Sequence, residues 1–155
     1  MTITVALEDP AGADAQALIA ELCQALAAIT GDSGQASFDL AHVRGARAGL
    51  ALARDAHGRA LGCGALRPLA DADGDCAEIK RMFARAGTAG VGAALLGFLE
   101  QQAARWGCAT LRLSTRRVNT RAVAFYEHHG YRPIAGYGRY AGNEASVCFE
   151  KRIAA

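Results

Sequence analysis

The stretch Gly87-Thr88-Ala89-Gly90-Val91-Gly92-Ala93-Ala94-Leu95-Leu96 is a glycine-rich turn that runs directly into an apolar helical segment. Glycines just ahead of a helix let another molecule approach the backbone closely, and the helix start adds unpaired N–H groups and a partial positive charge. Such a segment can hold an anion, most naturally a pyrophosphate. It can equally be a helix entry lined with small residues for packing. Two familiar phosphate-binding patterns are excluded. The glycines do not fall as Gly-x-Gly-x-x-Gly with an acidic residue closing the next strand, and no Gly-Lys-Ser/Thr follows.

Around this turn the chain reads as alternating strands and helices. Ile3, Val5 and Leu7 alternate as a first strand, closed by Asp9-Pro10. Residues 13–29 carry Leu18, Leu22, Leu26 and Ile29 at helical steps, which predicts an amphipathic helix. The stretch from Thr30 to Arg47 has no clear period. Residues 49–54 and 60–66 are apolar runs flanking Asp55-Ala-His-Gly-Arg and pair as a hairpin. Residues 71–75 form a second turn and 76–85 a further strand. Those acidic residues resemble part of a calcium loop, but the chelating glutamate at its end is missing.

A helix over residues 90–106 places Val91, Leu95, Phe98, Leu99 and Trp106 on one face, with Gly107 to end it. Strand 109–114, helix 119–129 and strands 131–134 and 145–153 complete the order, the last two around the Tyr/Gly-rich loop 136–143. These elements predict an α+β fold, a mixed sheet covered by helices, in a single domain spanning 1–155. A chain of 155 residues buries roughly 70% of its unfolded surface, enough for a core.

A net charge of +2 with scattered arginines gives no basis for nucleic-acid binding. No apolar run approaches the roughly 18 residues of a membrane span, and the N-terminus lacks a signal-peptide pattern. The five cysteines, Cys23, Cys63, Cys76, Cys108 and Cys148, show no metal-ligand spacing. They read as thiols of a reducing, cytoplasmic setting.

In order along the chain stand Glu78-Ile-Lys-Arg-Met82, Gly87-x-x-Gly90-x-Gly92, a helix, Thr110-Leu-Arg-Leu-Ser114, Asn119-x-x-Ala122-x-x-x-Tyr126, Gly130-Tyr131 and Ser146-Val-Cys-Phe-Glu-Lys151. From residue 49 onward this series resembles the GNAT family of acyl-CoA-dependent N-acetyltransferases, in its small bacterial form. The resemblance implies a twisted, mostly antiparallel sheet of six or seven strands flanked by helices. It implies acetyl-CoA as the acyl donor and direct transfer to a primary amine, a small molecule or amino acid in preference. It implies that backbone groups of Met82, Phe83 and Ala84 pair with the pantetheine arm and that a backbone amide near Phe83 is the oxyanion donor. Amides of Gly87, Thr88, Ala89, Gly90, Val91, Gly92 and Ala93 then hold the pyrophosphate. Many relatives dimerise, so a homodimer is admitted although no stretch here specifies one. The family's turn usually begins with Arg or Gln, where this chain has Gly87, and Arg85 is the nearby cation that could replace it.

Acetyl transfer from a thioester to an amine needs a neutral amine, charge stabilisation at the carbonyl oxygen and a proton or hydrogen bond for the departing sulfur. Glu78 stands where the resemblance places a general base; otherwise it is a surface glutamate paired with Lys80 or Arg81. Asn119, Ala122 and Tyr126 are spaced to share one helix face, with Asn119 holding the cofactor arm and the Tyr126 phenol protonating the departing thiolate, or at least hydrogen-bonding the sulfur. His128 and His129 suit a helix C-terminus, and Phe125 the core. For the acceptor, Arg67, Arg81 and Arg139 suit a carboxylate, with Tyr137 and Tyr140 in the same loop as Arg139. No metal site is expected. The residues leave open a non-catalytic acyl-CoA-binding module or a protein N-acetyltransferase.

Overall fold

The computed structural model describes residues 2–69 and 75–153, so most of the turn read at 71–75 lies outside the described residues. The strands are β1 (Thr4–Glu8), β2 (Gly49–Arg54), β3 (Ala60–Leu69), β4 (Cys76–Ala84), β5 (Thr110–Arg116), β6 (Arg132–Ile134) and β7 (Ser146–Arg152). They form one seven-stranded sheet in the order β1-β2-β3-β4-β5-β7-β6. Every neighbouring pair is antiparallel except β4–β5. The mixed, mostly antiparallel sheet expected from the sequence is the sheet observed.

The helices are α1 (Ala13–Thr30), α2 (Val91–Arg105) and α3 (Thr120–His128). The end of α1 is set by Gly31, left-handed at φ 79°, whose N–H returns to Ala27 O. On one face of the sheet, Val91, Leu95, Leu96, Leu99 and Ala103 of α2 join Leu66, Ile79, Leu111 and Phe149 in a core that also takes in Tyr126. On the other face, Ala15 and Leu18 of α1 pack on Leu50, Leu52, Cys63 and Ala65. Each fully buried leucine contributes roughly 2 kcal/mol. The α1 stripe is shorter than its periodicity implied: Leu18 and Leu22 are buried, but Ile29 in the last turn is 50% exposed, because no described core lies beneath that turn. The unassigned segment folds as two short 3-10 turns, Gln35–Ser37 and Leu40–Val43, the second capped by Asp39 and His42.

Two features of β4 shape the site. Cys63 pairs with Phe83 but Ala65 with Lys80, so Gly64 faces both Arg81 and Met82 across a β-bulge. Arg81 takes the left-handed φ of 57° that the bulge requires. On its other side β4 pairs with β5 only at Cys76–Thr110, Ala77–Leu111 and Glu78–Arg112. Beyond Glu78 the two strands part, β4 staying with β3 and β5 with β7.

Candidate active site

The parting of β4 and β5 opens a cleft with a cavity of about 280 Å³. One wall is Glu78 to Met82 of β4, and the other is Leu113 to Arg116 of β5. Asn119, Ala122 and Tyr126 of α3 close one side, and Leu22, Leu26, Thr30, Asp32, Gly34 and Ala36 in and after the end of α1 close the other. Residues 79–84 of β4 have no strand partner on the β5 side. Their edge-facing N–H and C=O groups are therefore offered to whatever enters.

The glycine-rich turn lies at the start of α2. Gly90, at φ 76°, is the helix N-cap without a side-chain cap, and the first helical bond is Ala94 N–H to Gly90 O. The N–H groups of Val91, Gly92 and Ala93 thus leave the helix end with no intrahelical acceptor. A Cβ at Gly87 would meet nothing within 4 Å, so this turn is an open cradle. Gly92 has a second use: a Cβ there would stand 3.2 Å from Phe125 of α3, which seats the mouth of α2 against that helix. Thr88 Oγ1 donates to Arg85 O at 2.6 Å and fixes the turn. Arg85 itself is ion-paired with Glu21 at 2.6 Å and donates to Ala60 O. It ties β4 to α1 and is not offered to the cradle.

Asn119, Ala122 and Tyr126 come together as their spacing implied, all three on the cleft. Asn119 is the N-cap of α3, its Oδ1 accepting from Ala122 N–H at 3.3 Å. Tyr126 is 7% exposed, packed edge-on against Phe125 and Tyr131. Its hydroxyl makes no hydrogen bond among the described residues, and burial pushes its pKa up, so it faces the cleft as a neutral phenol. His128 closes the last turn of α3 and His129 caps it, its ring tilted against Phe125 with centroids 4.6 Å apart.

Glu78 is not on the surface. At 3% exposure it is the most buried charged side chain described, and its carboxylate is enclosed by three partners. Tyr137 donates to Oε2 at 2.5 Å, while Arg67 Nε and Lys80 Nζ stand 3.4 and 3.7 Å from Oε1. Burial and the neighbouring carboxylate hold the Tyr137 phenol protonated. Lys80 also reaches the Tyr140 hydroxyl at 3.3 Å. The pairing with Lys80 matches one sequence expectation; the burial and the Tyr137 contact do not follow from sequence. His42 has its pKa lowered by burial and then by Arg67 and Lys80, and its Nδ1 accepts from Asp39 N–H.

The five acceptor-site expectations divide, and Arg67, paired with Glu78, is not in the cavity lining. Arg81, Arg139 and Tyr140 line the cavity, whereas Tyr137 stands behind Glu78 and does not. Arg116 was missed. Reading β5 two residues further would have found it, because Arg112, Ser114 and Arg116 alternate onto one face.

A family model described as "Acetyltransferase (GNAT) family" matches residues 17–131. A protein named IAA acetyltransferase from Azospirillum brasilense is 31% identical over 98 residues, covering 62% of this chain and 63% of that protein's own length. A presumed acyl-CoA N-acyltransferase from Klebsiella pneumoniae superposes with a TM-score of 0.81 at 28% identity, over 98% of both chains. A presumed acetyltransferase from Salmonella typhimurium, solved with acetyl-CoA as its cofactor, matches at a TM-score of 0.69 and 16% identity, over 100% of this chain and 96% of that one.

Proposed function

Because this chain belongs to the GNAT family of acetyltransferases, we propose that it moves an acetyl group from acetyl-CoA directly to a small primary amine in the cleft between β4 and β5. The observation that carries the reading is the unpaired backbone edge of residues 79–84 leading toward an uncapped helix N-terminus. The residues present fit the donor. The open turn at Gly87 and the free N–H groups of Val91, Gly92 and Ala93 suit a pyrophosphate. Met82, Phe83 and Ala84 offer strand-edge groups to an amide-containing arm, and Asn119 and Ala122 flank it. Acetyl-CoA supplies an activated thioester.

Around the thioester the chain's own residues do the rest. Glu78 takes the proton of the incoming ammonium, directly or through a water; a carboxylate has lone pairs to spare beyond its three present partners. Tyr126 donates a hydrogen bond to the departing sulfur. An ordinary thiol, with a pKa of ~8.5, gives a thiolate less basic than a phenolate of pKa ~10 or above, so hydrogen bonding is favoured over complete proton transfer. No helix among the described residues is long and apolar enough to cross a membrane. The five free thiols support a reducing, cytoplasmic setting.

Calorimetric titration of acetyl-CoA tests the reading, with CoA release measured over a panel of amines. Micromolar binding and amine-dependent release are expected. Ala93→Glu places a carboxylate in the first turn of α2, where it favours the helix but repels a phosphate; binding should weaken at least ~10-fold with the fold intact. Binding without amine-dependent release would reduce the protein to an acyl-CoA-binding module. No binding at all would overturn the reading.

A further inference from the structure

We propose that the acceptor amine carries a carboxylate, gripped by Arg81 and Arg116 on the α1 side of the cleft; this rests on the reading that an amine is acetylated there. Three buried side-chain nitrogens lack a partner among the described residues, Arg47 Nε, Arg81 Nη2 and Arg116 Nε, and the last two belong to residues lining the same cavity. Arg81 is 8% exposed. Its Nη1 donates to Ser33 O at 3.1 Å, its guanidinium lies over the Phe38 ring at 5.2 Å, and Nη2 is left over. Among the described residues, the Arg116 side chain has only a distant carboxylate, Asp32 Oδ2 at 3.9 Å from Nη1.

The two arginines flank one turn. Asp32 faces Arg116, Ser33 accepts from Arg81, and a Cβ at Gly34 would lie 3.4 Å from Arg81 Nη2. A buried N–H without an acceptor is costly, and two such donors, one from each facing wall of the same cleft, imply that an acceptor arrives from outside. The other cations of the region are committed: Arg67 and Lys80 to Glu78, and Arg139 Nη1 to Ala36 O. Four cationic side chains, Lys80, Arg81, Arg116 and Arg139, line the cavity against two carboxylates, Asp32 and Glu78. A carboxylate gives one oxygen to each orphaned donor. A phosphate dianion fits less well, because Asp32 stands beside Arg116 and repels the second charge.

The test compares CoA release for matched sets of amines of equal length that end in a carboxylate, an amide or a phosphate. We expect the carboxylate to exceed its amide at least ~10-fold in kcat/KM. Arg116→Gln should raise KM for the carboxylate by about 10- to 100-fold and collapse its preference over the amide; Arg81→Lys, which keeps the charge at the buried position, should lose most of it too. Equal rates for carboxylate and amide, a better phosphate, or equal losses for all three in Arg116→Gln would overturn the proposal. If no amine is turned over although acetyl-CoA binds, acetyl transfer is what fails. Calorimetry of the amino carboxylates with the CoA-saturated protein then decides the anion site: binding weakened in Arg116→Gln sustains it, and absence of binding overturns it.

Discussion

Gly64 and Met82 face each other across the bulge in β4 so closely that a Cβ at residue 64 would stand 2.6 Å from Met82 Sδ, with Leu99 Cδ1 at 2.9 Å on its other side. The missing side chain is what lets Met82 lie along the cleft wall. Gly64→Ala is expected to destabilise the fold by roughly 1–3 kcal/mol through overpacking. It should also weaken acetyl-CoA binding by pushing Met82 toward the ligand. Urea denaturation and calorimetry on the same variant check both effects.

Tyr126→Phe removes the phenol and leaves the ring packing on Phe125 and Tyr131 intact. We expect kcat to fall about 10- to 100-fold, the loss of one hydrogen bond made to developing charge, with little change in KM for acetyl-CoA. Because burial raises the pKa of this phenol, the wild-type rate should show no decline attributable to it up to pH ~10. Steady-state kinetics from about pH 6 to 10 test both statements.

Glu78→Gln keeps the shape of the caged side chain but cannot take a proton. The expected loss is about 10²- to 10⁴-fold in kcat/KM at neutral pH. The deficit should narrow as pH rises, because solvent then supplies the neutral amine that the carboxylate otherwise produces. A pH-independent deficit would assign Glu78 to positioning Tyr137 and Lys80 alone.

Burial pushes the Cys63 thiol up to about 12, whereas an unfolded thiol titrates near ~8.5. Between those values the folded chain keeps a proton that the unfolded chain has released, so stability falls as pH rises. The decline should reach about 2 kcal/mol between pH ~8.5 and ~10, and the buried phenols of Tyr126, Tyr131 and Tyr137 should steepen it above ~10. Denaturation curves taken at increasing pH should show the onset delayed in Cys63→Ala.

The order of strands and helices was legible because it rests on local signals: the step of Leu18 and Leu22, the Asp55 turn, the glycines after α2 and α3. The glycine turn at a helix start and the grouping of Asn119, Ala122 and Tyr126 on one cleft were legible for the same reason, since each lies within a short stretch. The surroundings of Glu78 and the α1 end of the cleft were not. Tyr137 and Glu78 are 59 residues apart, and nothing near either one announces the contact. Arg67 looked as available as Arg81, yet the register of β3 on β4 sets it opposite Glu78, and Arg116 emerged only once β5 was seen to run past Ser114.

Among the described residues, the three pairs between β4 and β5, continued by the bonds from Ala109 and Thr110 N–H to Asp75 O, form the strand ladder that joins β1–β4 to β5–β7. The sheet is thus two half-sheets on a short hinge, and a ligand lying along residues 79–84 adds the rungs that the chain itself omits. Binding there would be an act of sheet completion, stiffening the seam so that the two halves unfold more nearly as one unit.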